Sequence, residues 1–138
     1  LPVLKGGAVF GGDLMRCLRI GTTLDFIRAK SYAGAASTGE VRFVALPETP
    51  LDGRRVLVIE DILDTGHTAR AILEWVQAQG AADARMCTLL DKPARRTVEV
   101  HADYVGFVID DHFVVGYDLD YEEQYRHLPD VHVLEVEA

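Results

Sequence analysis

The sequence predicts an α/β domain built on a mainly parallel, twisted sheet flanked by helices. Two observations carry this. Residues 54–59 (RRVLVI) end in an unbroken aliphatic run, the pattern of a strand covered on both faces. Behind it, residues 68–79 place Ile72, Leu73 and Val76 on one side of a helix that stops at Gly80, and a further strand follows over 84–90. Strand, helix and strand in this order make a parallel pair with a helical crossover.

The remaining elements read in chain order. Residues 1–4 look like the end of a strand, and Lys5-Gly6-Gly7 turns into a helix over roughly 8–19. A strand is expected over 22–30, with Leu24, Phe26 and Ile27 apolar. Residues 31–40 (SYAGAASTGE) are small, carry two glycines and have no apolar period, which is the composition of a mobile loop. Strands follow over 41–46, 104–109, 113–115 and 131–136. No repeat or low-complexity tract interrupts them, so 1–138 reads as a single domain. Leu1 opens the chain inside a strand, and residues upstream of it are expected.

Apolar residues make up 49% and charged residues 26% of the chain, the balance of a soluble globular protein. No apolar run approaches the roughly 20 residues of a membrane span. Cys17 and Cys87 are isolated, without metal-type spacing, and read as reduced packing residues of a cytoplasmic protein. The net charge of −8, from 14 basic and 22 acidic residues, argues against a general nucleic-acid surface. It leaves room for a small anionic substrate held by a few cations or a metal.

Residues 56–68, VLVIEDILDTGHT, pose the functional question. Glu60, Asp61 and Asp64 repel one another, so fold stability alone does not select them at a strand exit. Ligands of open α/β sheets bind beyond the carboxyl ends of the strands. The 64–68 loop leads into a helix N-terminus, whose free N–H groups favour phosphate, with Thr65 and Thr68 as further donors. Gly66 permits close backbone approach. Carboxylates for hydroxyls or Mg²⁺ beside an anion cradle suit a sugar phosphate. A plain helix cap at Asp64 or Thr65 is the alternative, and it leaves Glu60 and Asp61 unexplained. No Gly-Lys-Ser/Thr is present, so this is not a Walker loop.

VLVIEDILDTGHT resembles the phosphoribosyl-pyrophosphate motif of the type I phosphoribosyltransferases. VLKGG at 3–7, DFIRAKSY at 25–32, STGEVR at 37–42, LLDKPARR at 89–96 and DYVGFVIDDHFVVGYDLDYEEQYRHLP at 103–129 narrow the resemblance to the 6-oxopurine branch, the hypoxanthine-guanine phosphoribosyltransferases. The match is colinear over nearly the whole chain. It implies the type I fold, with a small hood built from terminal segments. It also implies transfer of ribose 5-phosphate from phosphoribosyl pyrophosphate to hypoxanthine or guanine, giving IMP or GMP and pyrophosphate, with Mg²⁺ as cofactor and an oxocarbenium-like transition state. A homodimer or homotetramer is the assembly such relatives form.

The resemblance assigns roles residue by residue. Glu60 and Asp61 face the ribose hydroxyls and, with Asp120, the metal. Asp64, Thr65, Gly66, His67 and Thr68 hold the 5-phosphate, and Asp64 is the general acid/base at the purine N7. Lys5, Gly6, Arg96 and Arg126 bind pyrophosphate, where guanidinium suits bidentate contact; the Leu4–Lys5 peptide is expected to be cis. Lys92, Phe113, Val114 and Asp120 surround the purine. A lysine has only donors, which favours a 6-oxo group over the amino group of adenine. Ser31 and Tyr32 belong to the loop that closes over the site and excludes water.

Taken singly, these residues have plainer readings: Lys92 as a solvated strand-end lysine, Phe113 as core packing, Asp120 as a turn acid, Arg96 and Arg126 as surface arginines, and 31–40 as an ordinary loop. The motif context assigns most of them otherwise; for the loop, composition does not separate the two readings. Two other functions stay open, a xanthine-preferring transferase and a non-catalytic regulatory protein that binds phosphoribosyl pyrophosphate. The retained Asp64, Lys92, Lys5 and Asp120 favour the enzyme. His67 stands at a position that is often Lys or Asn in this family, Asp118 where Gly or Ala is usual, and the linker at 18–22 is short.

Overall fold

A computed structural model of the chain describes residues 1–32, 39–135 and 137. Its elements run α1 (Gly7–Cys17), β1 (Arg28–Ser31), β2 (Val41–Ala45), β3 (Arg55–Leu63), α2 (His67–Ala78), β4 (Asp83–Asp91), a 3₁₀ turn (Pro93–Arg95), β5 (Tyr104–Val108), β6 (Val114–Val115) and β7 (His132–Val133). Strands β3, β4 and β5 lie side by side in that order and all parallel. Helix α2 makes the crossover between the first two, as the sequence predicts.

β3 is longer than its aliphatic run. Parallel pairing with β4 continues from Arg55↔Asp83 through Glu60↔Thr88 to Leu63↔Asp91. Glu60 and Asp61 are therefore strand residues rather than the first residues after the strand. The backbone ladder is indifferent to side-chain type, and Leu63, 1% exposed, anchors the far end in the core.

Residues 1–4 join the two halves of the sheet. Ile59 donates its N–H to the Leu1 carbonyl (3.0 Å), and Val3 donates back to Ile59 (2.9 Å). On the other side Ile27 donates to Pro2 (3.2 Å) and Leu4 donates to Ile27 (2.8 Å), which leads into the antiparallel β1–β2 ribbon. The strand expected over 22–30 is confined to Arg28–Ser31, with only a bridge at Ile27; Leu24 and Phe26 point outward, half-exposed. Of the loop expected over 31–40, residues 33–38 lie outside the described residues, as do two residues of the C-terminal tail, one of them the last of the strand expected over 131–136.

Helix α2 buries Ala69, Ile72 and Val76, one stripe at helical spacing, against Val58, Leu63 and Met86 of the sheet. Arg70 and Glu74 pair on its outer face at 3.6 Å. Trp75 and Phe43 of β2 pack with ring centres 5.7 Å apart. β5 forms the outer edge of the parallel sheet among the described residues, and all five of its residues are exposed.

The hood is represented by the antiparallel β6–β7 pair and the segment between them, where Tyr117, Asp118, Glu122, Glu123 and Tyr125 all take left-handed φ values. The first residues of the chain belong to the main sheet instead. No helix among the described residues is long and apolar enough to cross a membrane.

Candidate active site

Beyond the carboxyl end of β3 lies a cleft of about 360 Å³. Its wall contains Glu60, Asp61, Asp64, Thr65, Gly66 and Thr68 from the β3–α2 connection, Gly6 from the start of α1, and Ser31 from the end of β1. Eight of the residues singled out from the sequence thus converge on one cavity, contributed by three separate stretches of chain.

Glu60 is buried at 8% exposure, and burial, followed by the neighbouring Asp61 charge, pushes its carboxyl well above the usual range. Asp61 is partly exposed. Burial raises it to about 6, against the hydrogen bond that its Oδ1 accepts from the Ile62 N–H (2.7 Å), and the charge of Asp118 raises it further. Gly6 sits directly against the Asp61 carboxylate, and a Cβ at position 6 would occupy the space of Asp61 Oδ2. The Leu4–Lys5 peptide is cis, as expected.

The 64–68 loop is braced from outside rather than capped from within. Gly66 is the N-cap of α2 with φ +94°, and no side chain caps the helix, so the plain capping reading of Asp64 and Thr65 fails. Arg96 holds the loop instead. Its guanidinium donates to the carbonyls of Asp64 (2.9 Å), Val100 (3.0 Å) and Leu63 (3.2 Å) and pairs with the Asp91 carboxylate. In this structure the Arg96 guanidinium is thus engaged by protein acceptors. Its neighbour Arg95, which the sequence reading did not single out, brings Nε to 3.5 Å from Asp64 Oδ1. That oxygen is shielded from solvent and has no hydrogen-bond partner among the described residues. His67 Nε2 lies 3.0 Å from the Thr97 hydroxyl.

The remaining expected residues do not line this cleft. Lys92, 5% exposed, follows β4 and directs Nζ toward Asp111 at 3.9 Å. Its backbone N–H reaches the Leu63 carbonyl at 3.0 Å, which ties it to the end of β3. Phe113 is half-exposed and meets Tyr121 edge-on at 5.7 Å, beside Val114 in β6. Lys5 Nζ contacts Glu123 at 3.0 Å. Arg126 Nη2 lies 3.1 Å from Asp120 and 3.2 Å from Glu123, and Nη1 donates to the Asp118 carbonyl. Tyr32 is exposed, with the Arg42 guanidinium 5.7 Å from its ring centre.

Glu60, Asp61 and Asp120 do not gather into one metal cage; the described residues contain no group of three or more His, Cys, Asp or Glu able to hold an ion. Asp120 is instead engaged by Arg126 and by the Glu123 N–H (2.9 Å). The sequence reading also missed Glu123, and it gave Asp118 only as a departure, without its proximity to Asp61. Both lie in YDLDYEE, where one acid among several gives no distinguishing signal.

Known proteins resemble this chain over nearly its whole length. The model of the phosphoribosyl transferase domain matches residues 1–122. Hypoxanthine-guanine phosphoribosyltransferase of Lactococcus lactis is 43% identical over 139 residues, covering 100% of this chain and 75% of that protein. The bifunctional protein TilS/HprT of Listeria monocytogenes is 45% identical over 98% of this chain, and the chain spans 21% of its length. A crystal structure of hypoxanthine phosphoribosyltransferase from Staphylococcus aureus superposes with a TM-score of 0.93 at 43% identity, covering 97% of this chain and 73% of that one. The Trypanosoma cruzi hypoxanthine phosphoribosyltransferase, in complex with the product IMP, gives a TM-score of 0.90 at 38% identity, covering 97% and 73% of the two chains. The chain belongs to the phosphoribosyltransferase family, within its hypoxanthine-guanine phosphoribosyltransferase branch.

Proposed function

We propose that the protein is a purine-salvage transferase that moves ribose 5-phosphate from phosphoribosyl pyrophosphate to hypoxanthine or guanine, forming IMP or GMP and releasing pyrophosphate. The observation that carries this is the single cleft in which two strand carboxylates, buried Glu60 and partly exposed Asp61, meet the uncapped α2 N-terminus and Gly6. Ribose hydroxyls donate to the carboxylates, and the 5-phosphate accepts from the N–H groups of the 64–68 loop and from Thr65 and Thr68. His67 stands at the same helix start.

Asp64 is the acid/base at the purine N7. Its orphaned Oδ1 is available to a proton donor, and the Arg96 brace fixes the backbone that carries it. Lys92 donates to the 6-oxo group, while Phe113 and Val114 border the base. Lys5 and Arg126 meet the diphosphate, and Ser31 and Tyr32 close the entrance.

The donor set fits Mg²⁺, the cofactor proposed here. Burial holds the Glu60 and Asp61 carboxyls above their ordinary range, which a cation or hydroxyl donors relieve. Mg²⁺ keeps several waters and takes only one or two protein carboxylates, so the lack of a three-residue cage is no obstacle. Glu60, Asp61 and Asp120 would hold it through water and substrate oxygens. Held there, Mg²⁺ would supply the positive charge that offsets the charge developing on the departing pyrophosphate. A cytoplasmic homodimer or homotetramer is the proposed assembly.

The test is nucleotide and pyrophosphate formation from phosphoribosyl pyrophosphate, Mg²⁺ and each of hypoxanthine, guanine, xanthine and adenine. Product is expected with hypoxanthine or guanine, and Asp64→Asn should lower kcat by about 10²–10⁴-fold. Product with xanthine alone would move the reading to a xanthine-preferring transferase. Binding without product on any base would establish a regulatory protein instead.

A further inference from the structure

We propose that Glu123 is an internal counter-ion that occupies the place of the diphosphate between Lys5 and Arg126, and that the diphosphate displaces it. This inference rests on reading Lys5 and Arg126 as the diphosphate cations. One carboxylate spans both, with Oε2 3.0 Å from Lys5 Nζ and Oε1 3.2 Å from Arg126 Nη2. The two cations come from opposite ends of the chain, and Glu123 is the group that touches both. Arg126 has further anchors of its own, the Asp118 carbonyl and the carboxylates of Asp118 (3.6 Å) and Asp120 (3.1 Å). Among the described residues Lys5 has no second charged partner.

The backbone around Glu123 is unusual in a way that packing does not require. Tyr121 and Gln124 bond to each other in both directions, 3.1 and 2.9 Å, closing a two-residue turn. Its central residues, Glu122 and Glu123, take φ values of +51° and +63°. Such turns favour Asn and Gly, because a side chain in the left-handed region is strained. Both residues are exposed, so no buried contact compensates. The turn does place the Glu123 carboxylate against Lys5 and Arg126, and the Asp120 carboxylate accepts the Glu123 N–H (2.9 Å) to hold it there. The two cations keep the Glu123 carboxyl far below its usual range, at about 2, so it is charged whenever the protein is folded and working.

A single exposed carboxylate satisfies the two cations weakly, whereas a diphosphate brings several charges to the same pair. Glu123 therefore costs the ligand part of its affinity and eases the departure of pyrophosphate.

The experiment measures binding of inorganic pyrophosphate, with Mg²⁺, to the wild-type protein, Glu123→Gln and Lys5→Ala. Glutamine keeps the shape and removes the charge. Glu123→Gln is expected to tighten pyrophosphate by about 3- to 10-fold, the range of one or two exposed ion pairs, and to lower KM for phosphoribosyl pyrophosphate together with kcat. Unchanged or weaker binding in Glu123→Gln, with Lys5→Ala clearly weakened, would reduce Glu123 to a brace and overturn the inference alone. Pyrophosphate binding untouched by Lys5→Ala would overturn the assignment of the cations and the inference with it.

Discussion

Arg96 donates its Nε hydrogen to the carbonyl of Asp64, 2.9 Å away, across a gap of thirty-two positions in sequence. The same guanidinium takes the carbonyls of Leu63 and Val100 and the Asp91 carboxylate, so it joins the ends of β3 and β4 to the chain that follows the 3₁₀ turn. Its planar fork makes this possible, because Nε, Nη1 and Nη2 reach four acceptors; an ammonium group has three donors on a single nitrogen and cannot span acceptors spread this widely. Arg96→Lys is therefore expected to destabilise the protein by about 2–4 kcal/mol, because it leaves carbonyls and the partly buried Asp91 without partners. Urea unfolding measures the loss, and a change below about 0.5 kcal/mol, the range of an ordinary surface substitution, would refute the bracing role.

Gly66 tests the same loop from the opposite side. Its φ of +94° is one that L side chains rarely adopt, and a Cβ there would stand 2.6 Å from Val100 Cγ1 and 3.0 Å from Arg96 Cδ. Gly66→Ala thus combines backbone strain with overpacking, together about 1–3 kcal/mol. Because the strained residue is the N-cap of α2, the N–H groups proposed for the 5-phosphate should shift with it. Affinity for phosphoribosyl pyrophosphate is expected to fall along with thermal stability. A variant that loses stability but keeps full affinity would show that the loop geometry is not what binds the phosphate.

These two residues also show what a sequence reveals and what it withholds. Gly66 was readable as a close-approach position, since it follows an acid-ended strand and precedes a helix. Its partners were not, because Val98 and Val100 lie more than thirty positions away and nothing in their own stretch marks them as a wall. Arg96 was legible as a residue that matters, but its bonds to the Asp64, Leu63 and Val100 carbonyls were not, since a cation suits backbone carbonyls as well as it suits a phosphate. β3 was legible where it is aliphatic and lost where acids begin, although its ladder continues to Leu63. Leu24 and Phe26 drew a strand over a segment that lies exposed, because an apolar side chain marks a strand only when a face exists to bury it.

Asp61 carries a pH dependence of definite sign. Its carboxyl ionises at about 6 in the folded protein against an ordinary 3.8, chiefly because burial at the cleft wall penalises the charge and secondarily because Asp118 repels it. The folded state thus holds this proton more tightly than the unfolded chain does. The penalty is absent below pH 3.8, grows through the window between 3.8 and 6, and is fully present above it, so this group makes stability fall as pH rises. Asp61→Asn removes the penalty and keeps an oxygen to accept the Ile62 N–H. Reduced for the water that reaches the cleft, the gain at pH 7.5 should be on the order of 1–2 kcal/mol. It should vanish near pH 4, where wild type and variant unfold alike. Glu60 acts in the same direction, since the Asp61 charge is part of what raises it. The variant should at the same time lose affinity for phosphoribosyl pyrophosphate, because the asparagine no longer offers a carboxylate for the proposed contact with the ribose hydroxyls. Denaturation across this pH range, read beside substrate binding, separates the two effects. A variant less stable than wild type at pH 7.5 would mean that Asp61 supports the fold rather than being a charge held at its expense.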